Sequence, residues 1–134
     1  MDEEFTRTLQ AAAPYARTLG ITADEATPQR VVLRGAWSAE RCTMAGVLHG
    51  GFLMTLADMA VATLAFLNLP DGATVTTTIE AKTNFLAAVR GGEVTATATP
   101  VHVGRRIVVA QADIHDATGR LASRTLQTQA MLEA

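Results

Sequence analysis

The segment between residues 48 and 58 combines residue types that suit acyl-transfer chemistry. His49 precedes Gly50 and Gly51, and Asp58 is a lone acid inside the apolar run that begins at Gly50. This pattern predicts a helix that begins at the glycines. The first N–H groups of a helix have no partner within it and can hold negative charge, whereas an acid among apolar residues is costly unless it is paired or used. The segment therefore predicts an oxyanion donor and a base.

The spacing of these residues argues against a site built from a single chain. Gly50 and Asp58 are eight positions apart, which is about 12 Å along a helix that rises ~1.5 Å per residue. Catalytic partners must lie within roughly 3 Å of the reacting atoms. His49 and Asp58 are nine positions apart and, at about 100° per residue, fall on opposite faces. If both act on one substrate, they come from two subunits, so we expect a two-fold homodimer with two equal composite sites.

Structural interpretations of the same residues remain open. The two glycines after His49 are compatible with a tight turn chosen for close packing. Asp58 is compatible with a buried acid that is paired with a neighbouring chain or a structural hydroxyl.

Length and composition favour a single domain over residues 1–134 and exclude some partners. A chain of 134 residues is long enough for a substantial core. The net charge of −2 gives no reason to expect nucleic acid as a partner. Hydrophobic residues make up 49% of the chain but aromatic residues only 4%, so the core must consist of Ala, Val, Leu and Met. Such small side chains allow a helix to pack closely on a sheet.

Cysteine usage and the N-terminal residues predict a cytoplasmic protein without a membrane span. The single cysteine, Cys42, excludes an internal disulfide and fits a reducing compartment. Residues 1–4 are acidic where a signal peptide would be basic. The apolar run from Gly50 to Leu67 is long, but Asp58 and the polar flanks favour a buried helix over a membrane helix.

Neither a metal cluster nor a cysteine nucleophile is indicated by the sequence. His49, His102 and His115 are scattered along the chain, and they lack the spacing of metal ligands. No histidine is placed beside Cys42 in sequence, which favours an ordinary loop thiol.

Periodicity and turn residues predict the elements that must position the candidate site. A helix is expected over 5–19, with a break or end at Pro14, and a long helix over 50–67 that is apolar nearly all round. Strands are expected at 21–26, 30–37, 74–86, 93–103, 106–116 and 120–132. The last four form an antiparallel meander with short turns. This order predicts an α+β protein whose curled antiparallel sheet wraps around one long central helix, the hotdog architecture.

Three stretches carry a resemblance to a known family: Gly46-Val47-Leu48-His49-Gly50-Gly51, Leu56-Ala57-Asp58 and the strand over residues 78–86. In these stretches the chain resembles the phenylacetic-acid-pathway (PaaI-like) branch of the hotdog-fold acyl-CoA thioesterases. The resemblance runs from about Pro14 to the C-terminus and is sharpest in the first two stretches.

This resemblance implies a mechanism and an assembly. It implies that the Gly50 N–H polarises the thioester carbonyl and that Asp58 is the nucleophile or a general base, with no choice between these roles. His49 would help to order the site, and Thr78 would position water or Asp58, although Thr78 is equally typical of an ordinary strand residue. The resemblance also implies an acyl-CoA substrate, no cofactor, and a side-by-side homodimer that often pairs into a homotetramer.

One position departs from the family pattern, and three basic residues are candidates for binding coenzyme A. Thr43 stands six positions before His49, where the family usually has asparagine. Threonine is shorter and offers no amide, so the usual orientation of the carboxylate or water is in doubt, and a plain loop role for Thr43 is an alternative. Arg90, Arg105 and Arg106 lie at predicted turns, where they suit a CoA phosphate or simply a solvated hairpin.

Three functions remain open at this stage. Hydrolysis of an acyl-CoA to acid and thiol is the leading hypothesis. A hydratase or dehydratase of the same fold would need a histidine and an acid aimed at neighbouring carbons, whereas here they diverge along one helix. A non-catalytic acyl-thioester-binding protein is favoured by Thr43. The identity of the acyl group is left open.

Overall fold

The computed structural model describes residues 1–133 and consists of one antiparallel sheet curled around a central helix. Its six strands are ordered β1-β2-β4-β5-β6-β3. The helices are α1 (Glu3–Ala12), α2 (Pro14–Thr18) and the central helix α3 (Gly50–Phe66). The strands are β1 (Thr22–Thr27), β2 (Arg30–Ala36), β3 (Val75–Phe85), β4 (Glu93–Val103), β5 (Ile107–His115) and β6 (Leu121–Leu132). The predicted hotdog architecture is confirmed.

The predicted elements are found with small shifts at their ends. The first helix is broken at Ala13, immediately before Pro14, and α1 is capped by Asp2, whose carboxylate accepts from the Phe5 N–H at 2.9 Å. The segment between β2 and α3 holds two short 3₁₀ turns, Ala39–Arg41 and Met44–Gly46.

The predicted meander of four strands is wrong, because β3 pairs with β6 and not with β4. The free side of β4 is taken by β2. Residues 86–92 instead cross the sheet at the N-terminus of α3. Leu86 still donates to Ala122 of β6, and Val89 then accepts from the Leu48 N–H, both at 2.8 Å. Only β4, β5 and β6 form a meander, and β3 becomes a sheet edge.

The interface between α3 and the sheet has two halves of different chemistry. The apolar half comprises inward residues of β2, β4 and β5, all of them fully buried: Val31, Leu33, Val94, Ala96, Ala98, Ala110, Ala112 and Ile114. The polar half comprises four buried side chains of β6 and the β3 hydroxyls near them: Ser123, Thr125, Gln127, Gln129, Thr76, Thr78 and Thr83. Asp58 of α3 meets this polar half.

Candidate active site

Asp58 is held by two donors that both bind the same carboxylate oxygen. Its Oδ1 accepts from Thr78 Oγ1 at 2.9 Å and from Gln127 Nε2 at 2.7 Å. Its Oδ2 has no hydrogen-bond partner within residues 1–133. The carboxylate is half-buried, and Thr78 is exposed on the edge strand. One oxygen of Asp58 is therefore anchored, and the other is available for chemistry.

The anchor continues into a chain of two buried amides that the sequence analysis did not anticipate. Gln127 Nε2 also donates to Gln129 Oε1 at 2.9 Å, and Gln129 Nε2 donates to Thr76 Oγ1 at 3.1 Å. Both glutamines are almost completely buried. The available signal was the series of polar residues at every second position of β6, which places them on one face of the strand.

The N-terminus of α3 presents a free backbone donor next to His49. His49 Nδ1 accepts from the Gly51 N–H at 2.7 Å, which leaves Nε2 as the protonated ring nitrogen. Within the described residues the Gly50 N–H has no acceptor. A Cβ on Gly50 would lie 3.0 Å from the Phe85 ring, so a side chain here would make a tight contact that the ring must relieve by a small shift.

Gly50 opens onto a mostly apolar cavity of about 460 Å³. Its other lining residues are Thr43, Val47, Leu48, Leu53, Phe85, Leu86, Ala87 and Ala88. The helix N-terminus thus meets an apolar recess, which is a suitable setting for a polarised carbonyl group.

The structure keeps Gly50 and Asp58 apart within one chain. Both belong to the continuous helix α3, in which eight residues rise by about 12 Å. Gly50 packs against Phe85 at the C-terminal end of β3, whereas Asp58 bonds to Thr78 nearer its N-terminal end. A single protomer does not bring the two groups to one carbonyl.

Thr43 and Cys42 lie in the loop before α3. Thr43 is exposed, its N–H donates to the Val47 carbonyl at 2.8 Å, and it lines the same cavity as Gly50. The Cys42 thiol donates to the Ser38 carbonyl at 3.3 Å and is half-buried.

The three candidate basic residues do not form one patch within a protomer. Arg90 lies before β4 and donates to the Ala45 carbonyl at 3.1 Å. Arg105 and Arg106 lie in the turn after β4 and line a cavity of about 910 Å³ that also contains Asp71 and Glu133. The 11 residues of β4 separate them, a distance of roughly 33 Å at ~3.3 Å per residue.

Two features typical of other classes of protein are absent from residues 1–133. No group of three or more His, Cys, Asp or Glu side chains there is arranged to hold a metal ion. None of the described helices has the length and apolar character needed to cross a membrane.

Comparison with known proteins defines the class to which the fold and site belong. Residues 45–123 match the sequence profile of the thioesterase superfamily. This match covers more than half of the chain, including the N-terminus of α3, Asp58 and Thr78. The chain belongs to the thioesterase superfamily.

Individual relatives agree with this assignment. A Haemophilus influenzae protein named "Putative esterase" is 42% identical over 76 residues, which are 57% of this chain and 54% of that protein. The chain thus spans about half the length of that relative. The 1,4-dihydroxy-2-naphthoyl-CoA hydrolase of Escherichia coli K12 is 32% identical over 87 residues, which are 65% of this chain and 63% of that enzyme.

Solved structures show the same fold over nearly the whole chain. A thioesterase from Haemophilus influenzae superposes with a TM-score of 0.86 at 28% identity, covering 94% of this chain and 88% of the other. A point mutant of the phenylacetic acid degradation protein PaaI from Thermus thermophilus superposes with a TM-score of 0.81 at 25% identity, covering 89% of this chain and 99% of the other.

Proposed function

We propose that this protein is an acyl-CoA thioesterase of the PaaI-like type, which hydrolyses an acyl-CoA to the free acid and CoA. The observation that carries the proposal is the pair of groups described above: a carboxylate with one anchored and one free oxygen, and a free helix N–H beside an apolar cavity. The name of the Escherichia coli relative supports a CoA thioester as substrate.

In the proposed reaction the Gly50 N–H donates to the thioester oxygen, where negative charge develops as the carbonyl is attacked. A preorganised donor at a helix N-terminus stabilises that charge without reorganising during the reaction. The free Oδ2 of Asp58 either attacks the carbonyl carbon or removes a proton from an attacking water. In both routes the C–S bond breaks and the CoA thiol leaves. In the first, water then cleaves the mixed anhydride.

The second subunit required by this geometry is proposed to join along β3. This edge strand has 11 residues that are mostly exposed, among them Ile79 and Phe85, each more than half exposed. The other edge strand, β1, has only 6 residues and lies against α1. A long uncovered edge is a template for pairing with another chain, so β3 is the favoured dimer edge.

A simple register of this dimer would complete the site. We propose antiparallel pairing of two β3 strands about an axis midway between Thr78 and Phe85. Thr78 of one protomer would then lie opposite Phe85 of the partner subunit. Because Thr78 bonds to Asp58 and Phe85 packs on Gly50, each Asp58 would approach Gly50 of the partner subunit. Two equal sites follow from the two-fold symmetry.

The remaining assignments extend this proposal. His49 would keep the N-terminal turn of α3 ordered, and Thr43 would border the bound thioester from the cavity wall. Since Arg90 and the Arg105–Arg106 pair lie at opposite ends of β4, they would contact CoA phosphates as separate groups. A pairing of two dimers into a homotetramer and a location in the reducing cytoplasm, which suits the free Cys42, complete the proposal.

The test is a thiol-release assay over short, medium, long and aryl acyl-CoAs, with Asp58→Asn as the variant. We expect release with at least one acyl class and a fall in kcat of at least about 100-fold in the variant, because catalytic carboxylates contribute on the order of 10² or more. Asp24→Asn is the matched control, since Asp24 bonds to Arg34 away from the site. It should leave kcat unchanged.

Two results would replace the proposal with an alternative. Binding of acyl-CoA without thiol release, unaffected by Asp58→Asn, would identify a non-catalytic binding protein. Hydration of an enoyl-CoA without thiol release would identify a hydratase.

A further inference from the structure

We infer that Gln127 is a positioning residue that fixes the Asp58 carboxylate for reaction, with Gln129 orienting Gln127. The inference rests on the proposed function, because it assigns how the proposed reactive group is held. Gln127 is fully buried, and its Nε2 lies 2.7 Å from Asp58 Oδ1. Gln127 belongs to β6, which lies next to the edge strand β3 in the sheet. Its bond to Asp58 therefore ties helix α3 to an interior strand.

Hydrogen bonds to Asp58 and to Gln129 fix the orientation of the Gln127 amide. An ionised carboxylate only accepts hydrogen bonds, so the NH₂ group and not the oxygen of Gln127 must face Asp58. The second N–H of the same group donates to Gln129 Oε1 at 2.9 Å. Gln129 in turn donates to the Thr76 hydroxyl. Rotating the Gln127 amide by half a turn would place oxygen against oxygen at both contacts.

Two donors on one oxygen restrict the plane of the carboxylate. Thr78 and Gln127 both bind Oδ1, so rotation of the group about its Cβ–Cγ bond would break both bonds at once. Oδ2 is thereby held in one direction, away from the two donors. Reacting groups gain rate when they are held in the productive geometry before the reaction begins.

Stability alone does not account for the two buried amides. Methionine at either position would fill a similar volume without desolvating a polar group. The Gln127 Oε1 is moreover buried without a partner among the described residues, which is unfavourable for folding. A role in holding Asp58 explains why such a costly side chain lies at this point.

The test compares Gln127→Met with wild type in the thiol-release assay. We expect kcat to fall by about tenfold or more, the scale of a lost positioning interaction, with KM changed less than about twofold because no contact to substrate is removed. Gln129→Met should produce a smaller fall in the same direction. The matched control is Gln111→Met. Among the described residues the Gln111 side chain bonds only to Asp113 on β5, so this variant should leave kcat unchanged.

Measuring Gln127→Met in the Asp58→Asn variant separates a positioning role of Gln127 from a structural one. If Gln127 acts through Asp58, adding Gln127→Met to Asp58→Asn leaves the residual rate unchanged, because the two residues act as a unit. A further loss in the double variant would overturn the inference. Gln127→Asn, which keeps the amide but is one methylene too short to reach Asp58, replaces Gln127→Met if that variant does not fold. It should show the same loss.

The failure of this inference is distinct from failure of the proposed function. A Gln127→Met enzyme with wild-type kcat, alongside an inactive Asp58→Asn enzyme, would overturn the positioning role and leave the thioesterase proposal standing. An Asp58→Asn enzyme with wild-type activity would overturn both.

Discussion

The interface beneath α3 has two halves that belong to the same sheet but differ in the chemistry of their side chains. The apolar half, on β2, β4 and β5, is built from small and branched aliphatic side chains that are fully buried. The polar half, on β6 and β3, places amides and hydroxyls against the same helix. Burial of apolar surface stabilises the fold, whereas buried amides contribute little net stability even when they are paired. On the proposed function, the apolar half holds the helix, whereas Thr78 and Gln127 of the polar half position Asp58.

The choice of which residues of β6 face the helix strengthens the contrast between the two halves. Four of its five inward positions are polar, Ser123, Thr125, Gln127 and Gln129, and the fifth is Met131. Leu126 and Leu132 point outward and are 45% and 43% exposed. Hydrophobicity alone would favour the opposite phase, since a shift by one residue exchanges the two faces of a strand. Departures from local hydrophobic patterning of this kind are expected at functional sites.

The largest expected effect on stability belongs to the apolar half. Leu33 of β2 is fully buried against the core, so Leu33→Ala should lower the free energy of unfolding by about 2–5 kcal/mol through lost burial and a residual cavity. Measured by urea denaturation, this loss should come with an unchanged kcat per folded molecule. A selective loss of kcat with unchanged stability would show that the two halves are not separable.

A smaller effect is expected from the hydroxyl pair of the polar half. Thr83 Oγ1 and Thr125 Oγ1 lie 2.7 Å apart. Thr125→Val should cost about 0.5–1.5 kcal/mol of unfolding free energy, because it breaks this bond and leaves one hydroxyl without its partner. Valine at both positions should recover part of that loss, since paired apolar groups replace a paired polar contact. Additive costs in a double-mutant cycle would refute this explanation.

The smallest effect comes from a turn that belongs to neither half. The Thr118 hydroxyl, together with the Arg120 and Thr118 backbone N–H groups, lowers the pKa of Asp116 from 3.8 to about 2. A carboxyl group whose pKa is lower in the native state stabilises the fold at pH values above its unfolded-state pKa. That contribution is lost as the pH falls toward the native-state pKa. The Tm difference between wild type and Asp116→Asn should therefore be constant above about pH 5 and shrink between roughly pH 4 and pH 2. A difference that does not depend on pH would contradict the assignment.

Most of the fold was predictable because local signals and tertiary packing agree. Pro14 breaks the first helix, the turn around Gly72 follows the central helix, and period-two alternation marks β4. The pairing of β3 was not predictable from proximity in sequence. Residues 86–92 are long enough to cross the sheet, and sequence separation does not reveal which open strand edge a chain segment will reach.

The candidate site was predictable in part. Asp58 and Gly50 were selected from residue type and spacing, and Thr78 from the family resemblance. The structure joins Asp58 to Thr78 by a hydrogen bond. Gln127 lies 69 positions from Asp58, so only the three-dimensional structure brings the two together. The catalytic roles of these residues remain predictions until activity is measured.

The central claim is that each reaction centre is completed by Asp58 of one chain and Gly50 of another. It is tested most directly in heterodimers of Asp58→Asn with Gly50→Pro. Proline removes the N–H and is tolerated at the first position of a helix. The extended backbone of His49, with ψ near 135°, suits a residue that precedes proline.

Differently tagged chains would be co-expressed, purified as heterodimers, verified by sedimentation and assayed for thiol release. Each homodimer should be nearly inactive. The heterodimer should regain about half of the wild-type activity, because two-fold symmetry gives it one intact site and one doubly defective site. Verified heterodimers without restored activity, or a stable monomer that turns over substrate, would contradict the account.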